Sequence, residues 1–108
     1  MDCTVSVSLH CRRDGDAIGF GKGIVMLLER IEQYGSINRA TADMGMAYSK
    51  AWRILKATEQ EFGLTLVYRD GARGSKITEG ARKLMEAYYA ALEKASLAAE
   101  GEVARRNM

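Results

Sequence analysis

The chain of 108 residues contains no proline, so no residue in it forces a break in a long helix. It has one histidine, His10, and two cysteines, Cys3 and Cys11. A single histidine without a matching Ser/Asp set, a close carboxylate pair or a His/Cys cluster leaves enzymatic and metal-centred chemistry without support. The cysteines do not form a CxxC motif, so they read as idle reduced thiols of a cytosolic protein. No apolar run approaches the ~20 residues of a membrane span, and the start MDCTVSVSLHCRR lacks the order of a signal peptide. The net charge of +2 is by itself a weak argument for a polyanionic partner.

What is present is a composition of one ordinary domain, with 47% hydrophobic and 28% charged residues. Its most informative run is GSINRATADMGMAYSKAW, from Gly35 to Trp52. Before it, Ile24, Leu27, Leu28 and Ile31 recur at helical spacing. Ser36 then stands as an N-cap, and a short helix follows up to a tight turn at Gly45. A second helix carries Tyr48, Ser49, Lys50 and Arg53 near its start and runs to about Phe62, where Gly63 stops it. Ala40, Thr41, Met44, Met46, Ala51 and Ile54 supply the contacts of the helix pair.

Beyond Gly63, Leu64 to Arg69 reads as a strand, Asp70 to Gly74 as a turn, and Ser75-Lys76-Ile77 as the strand that pairs back. Thr78 opens a last helix reaching about Ala99. The expected fold is therefore mainly α with small β: a winged helix-turn-helix over 21–77, a long helix over 78–100 and a frayed tail over 101–108. Residues 1–20 add an N-terminal segment in which Val5, Val7, Leu9 and Cys11 alternate with Thr4, Ser6, Ser8 and His10. That alternation predicts a half-buried strand ending at Asp14-Gly15-Asp16, which adds to the wing sheet or crosses to a partner, with His10 solvated. GFGKG, from Gly19 to Gly23, lacks the spacing and following Ser/Thr of a phosphate loop and reads as the lead into the first helix.

With these residues in view, Gly45, Met46, Tyr48, Ala51 and Trp52 resemble the Gly-Met-x-Tyr-x-x-Ala-Trp core of molybdate-responsive regulators of the ModE type. LVYRDGARGSKITEGARKL is similar to the wing and following helix of ModE-type and LysR-type regulators. The resemblance covers roughly residues 4 to 95. It implies a transcriptional regulator that places its second helix in the DNA major groove. Ala47 departs from the Ser usual at the start of that helix, and the wing loop is shorter than that of ModE itself. Nothing resembles the separate oxyanion-binding domain of the full-length regulators, so a stand-alone regulator is expected. No cofactor is expected, and no residue pattern specifies an effector.

The charge distribution agrees. Residues 46–76 carry six bases and three acids, residues 1–45 five bases and six acids, and residues 77–108 five of each. The positive excess therefore falls on the proposed reading helix and wing, where double-stranded DNA would bring its phosphates. Tyr48, Ser49 and Lys50 are placed to face bases or nearby phosphates, and Arg53 to reach a guanine or a phosphate. Ser36, Arg39, Lys56 and Arg69 complete the candidate surface, Arg39 and Lys56 as phosphate contacts or solvated charges. Arg73 and Lys76 reach the adjacent groove, or belong to a mobile charged loop. Trp52 packs against the first helices or approaches DNA. On the last helix, Leu84, Tyr88, Ala91, Leu92 and Ala95 form an apolar stripe that predicts a homodimer. The alternative function is a winged-helix protein-interaction module without its own DNA specificity.

Overall fold

In the computed structural model, residues 3–11 and 19–107 are described. Four helices and one hairpin follow in order: α1 (Lys22–Tyr34), α2 (Ile37–Met44), α3 (Tyr48–Phe62), β1 (Val67–Arg69), β2 (Ser75–Ile77) and α4 (Glu79–Arg106). A single 3-10 turn, Gly71–Arg73, joins the two strands. This is a winged helix-turn-helix with a long C-terminal helix.

The local causes are visible at each junction. Ile24, Leu27, Leu28 and Ile31 share one face of α1 and are all buried. Gly35 ends α1 at φ 65°, a left-handed conformation that costs a side-chain-bearing residue about 1–2 kcal/mol. The Ser36 side chain accepts the Arg39 backbone N–H at 3.2 Å and starts α2. Gly45, at φ 64°, makes the turn between α2 and α3. Thr78 caps α4 by accepting the Ala81 N–H at 3.0 Å, while its hydroxyl donates to the Thr65 carbonyl at 2.5 Å.

The core gathers α1, α2, α3 and the start of α4 around Phe20, which is fully buried. Phe62 and Tyr88 meet the Phe20 ring edge to face at 6.2 and 6.3 Å. Arg30 of α1 pairs with Asp43 of α2 at 2.7 Å. Two further polar braces join α1 to α4, Arg82 to Glu32 and the Tyr89 hydroxyl to Glu29. Partial burial, reinforced by the bond to Glu29, pushes the Tyr89 phenol up to about 12. The Arg82 guanidinium is likewise held above its ordinary value, first by its hydrogen bond to Glu32.

Several expectations change. The N-terminal segment shows the predicted alternation of burial from Cys3 to Leu9, but Cys11, expected on the buried side, is exposed, and the segment is not a strand. Leu9 pairs with Phe20 in an antiparallel bridge, so the segment lies along the entry to α1 rather than on the wing sheet. The turn expected at Asp14-Gly15-Asp16 lies outside the described residues. Second, β1 begins at Val67 rather than Leu64. The Leu64 N–H closes α3 on the Glu59 carbonyl and the Leu66 N–H goes to the Glu59 carboxylate, so neither joins the ladder.

Third, the frayed tail expected over 101–108 is helical as far as Arg106. Glu102 pairs with both Arg105 and Arg106 one turn on, which supports that last stretch. Lys22 and Gly23, expected in the lead-in loop, already belong to α1. Fourth, Tyr88 is 5% exposed and packs on Phe20, so it serves this chain's own core and is not open to a partner. At 1.5 Å per residue α4 is about 42 Å long. It outruns the globule and accounts for the elongated 58 × 29 × 24 Å outline.

Candidate nucleic-acid interface

Helix α3 buries Ala51, Leu55, Thr58 and Glu61 and turns Ser49, Lys50, Arg53 and Lys56 outward. The outward set recurs every three to four residues, which is the helical period and therefore one continuous stripe. Ala47, at the N-cap of α3, offers no side-chain hydrogen bond, as its replacement of the usual Ser implied. The first-turn amides of α3 are thus left without a side-chain cap at an exposed end.

The candidate basic residues divide by their partners. Arg69 of β1 donates to the Tyr48 hydroxyl at 2.9 Å. Lys56 lies over the Trp52 ring at 5.4 Å and pairs with Glu59 at 3.3 Å. Lys76 pairs with Asp70 across the wing turn at 3.4 Å. Arg39 sits over the Tyr34 ring at 5.2 Å. Lys50, Arg53 and Arg73 are exposed, and among the described residues their side chains have no ion-pair or hydrogen-bond partner. These three are the cations most readily given to an outside anion, since no internal contact must be broken first.

Ser36 is half-buried at the α2 N-cap, where its hydroxyl already serves the Arg39 amide. Trp52 is half-buried against the core with the Tyr48 ring edge-on at 6.4 Å, which favours the packing alternative. Tyr48, Ser49, Lys50, Arg53 and Lys56 thus lie along α3, with Arg69, Arg73 and Lys76 on the wing. On α4, Leu84 and Leu92 are half-buried against the core, and Ala91 and Ala95 are partly covered.

Three features were not read from the sequence. The Glu61 carboxylate is buried at the far end of α3 and accepts the Cys11 and Gly19 N–H groups, each at 3.0 Å. His10, expected to be solvated, lies with Nδ1 3.5 Å from Glu61 while its side chain stays 42% exposed. The hairpin docks through Gly74, where a Cβ would lie 2.2 Å from the Gly35 carbonyl oxygen. The next residue, Ser75, donates its backbone N–H to that same oxygen at 2.9 Å. A glycine flanking a strand was the one available sign of such a close approach.

A helix pair around a glycine turn, an outward basic helix and a hairpin beside it define a winged helix-turn-helix regulatory domain. The family model of bacterial regulatory helix-turn-helix proteins of the lysR family matches residues 25–82. That is more than half of the chain, and the chain belongs to this family. Among solved structures, CbnR, a LysR family transcriptional regulator, is 20% identical with a TM-score of 0.58. The match covers 76% of this chain and 28% of CbnR, so the chain spans under a third of that full-length regulator. The DNA-binding domain of CbnR, solved in complex with DNA, is 19% identical with a TM-score of 0.59; 78% of this chain and 95% of that domain are covered. At these identities the likeness speaks for the fold. No curated protein matches the chain in sequence.

Proposed function

We propose that the chain binds double-stranded DNA in a sequence-dependent way, with α3 in the major groove and the wing on the flanking backbone. The observation that carries this is the outward stripe of α3, where Lys50 and Arg53 stand exposed and unpaired beside Ser49. A major groove roughly 12 Å wide accepts such a helix, and arginine pairs with a guanine edge through two hydrogen bonds. Arg73 extends the same charge onto the wing. The likeness in fold to a domain solved on DNA supports the reading.

The resemblance of residues 35–52 to ModE-type regulators supports a turn and reading helix of the ModE kind on this lysR-family fold. We further propose a homodimer, since one reading helix covers too few base pairs to be selective in a genome. The surface for it is the face of α4 that leaves the core, where Ala91, Leu92 and Ala95 stand together at helical spacing. Tyr88 is not part of that surface.

The experiment is selection of bound duplexes from a random pool, followed by affinity titrations at several salt concentrations. The three unpaired cations predict a log–log salt slope of about −3 per subunit, at about −0.9 per neutralised phosphate. A flat response, or no enrichment of any duplex, overturns the reading and favours a protein partner for this face.

A further inference from the structure

Resting on the DNA reading above, we propose that Arg69 is a positioning residue. It fixes the wing against α3 through the Tyr48 hydroxyl and so governs sequence preference without itself contacting DNA.

The argument begins with where the hairpin is anchored. Its backbone packs on α1 through β2, and the Ser75 N–H bonds the Gly35 carbonyl at the end of α1. Beyond the short connection over 63–66, whose Leu64 N–H bonds the Glu59 carbonyl, its relation to the reading helix α3 rests on side chains. One tie is at the far end of α3, where Glu59 Oε2 accepts the Leu66 N–H at 2.7 Å. The other is at the near end, where Arg69 Nη2 donates to Tyr48 Oη at 2.9 Å.

Tyr48 and Glu59 are separated by about 16 Å of helix at 1.5 Å per residue. Leu66 to Arg69 spans only about 10 Å of extended chain, and the long arginine arm bridges the remainder. The base of the hairpin is held on α1 and at Glu59, and the Arg69 bond adds a fixed point at the other end of α3. Two ties this far apart fix both its slide along α3 and its angle to it.

Tyr48 is in turn held in place. Its ring meets Trp52 edge to face at 6.4 Å and 83°, and Trp52 is packed against the core. The side chain of Arg69 is thus directed along the protein surface to a fixed hydroxyl, whereas Arg73, at the wing tip, has no such partner among the described residues.

The test is a double-mutant cycle with Tyr48→Phe, Arg69→Ala and the pair, on the selected duplex and on random DNA at several salt concentrations. Tyr48→Phe removes only the accepting oxygen and keeps the ring on Trp52. The expectation is that each single change lowers the preference for the selected duplex by about fivefold to tenfold, and the pair lowers it no further, as for residues acting through one bond. The salt slope should stay unchanged. If Tyr48→Phe is neutral while Arg69→Ala weakens all duplexes alike and reduces the slope by about 1, Arg69 is a phosphate contact and the inference is overturned.

If the unaltered chain binds no duplex, it is the DNA reading that fails. The tether is then judged in the free protein by hydrogen exchange at the Asp70 amide, which bonds the Gly74 carbonyl across the wing turn. Faster exchange in Tyr48→Phe upholds the tether, and unchanged exchange overturns it.

Discussion

Replacing Gly74 with alanine places a methyl carbon 2.2 Å from the Gly35 carbonyl oxygen. No flexible side chain can yield there, because the obstacle is backbone at the end of α1. Three costs follow. Gly74 has φ 87° and ψ −143°, a region near the one reserved for glycine, at about 1–3 kcal/mol for any other residue. Relieving the contact means shifting packed backbone, which costs about 1–3 kcal/mol. The shift also strains the 2.9 Å bond from the Ser75 N–H to the same oxygen, a bond of about 1 kcal/mol net. The loss of glycine's freedom in the unfolded chain returns about 0.4–1 kcal/mol.

The net expectation is a destabilisation of about 3–5 kcal/mol, a large share of the stability of a small domain. Gly45→Ala is the matched control. It too has positive φ, 64°, but no atom lies within 4 Å of the added carbon. It should therefore cost only the left-handed strain of about 1–2 kcal/mol. Urea unfolding at fixed chain concentration, followed by helical circular dichroism and by the fluorescence of Trp52, measures both. Equal losses in the two variants would refute the close approach of the hairpin to α1. A smaller loss in Gly74→Ala would refute it more strongly.

Further outcomes are expected. Arg53→Ala should cost roughly 1–3 kcal/mol on the selected duplex and relax its sequence preference, whereas Arg73→Ala should weaken all duplexes about equally, both read by titration; identical behaviour would dissolve that division of roles. Because the folded state holds the Tyr89 proton up to about 12, its contribution to stability is complete below pH 10 and fades as pH rises toward 12. The stability gap between the unaltered chain and Tyr89→Phe should accordingly be constant below pH 10 and close above it; parallel curves through that window would contradict the brace to Glu29. Ala95→Glu should leave the helical signal intact and shift light scattering from dimer to monomer, while Tyr88→Glu should cost several kcal/mol and unfold much of the chain, as expected for a charge forced into the core. A folded, stable Tyr88→Glu would show that Tyr88 does not serve the core.

The elements that the sequence determined are those written by short-range chemistry. Gly45 and Gly63 sit at positions where only a residue without Cβ turns cheaply, Ser36 and Thr78 cap the helices that follow them, and the spacing of Ile24, Leu27, Leu28 and Ile31 marks the buried face of α1. Each signal acts within a turn or two of the backbone, so it can be read without the rest of the molecule. Tertiary structure decided what depends on residues far apart in the chain. Tyr88 was read as part of an outward stripe because its helical period is the same whichever element covers it; Phe20, at the head of α1, is what covers it. Glu61 acquired its role from the amides of Cys11 and Gly19, which no local pattern connects to it. The basic residues of the candidate interface were legible as a set, yet their division into tied and unpaired was not. A cation's charge is fixed by its identity, but its partner is fixed by which side chain folding brings within about 3 Å of it, as Tyr48 is brought to Arg69.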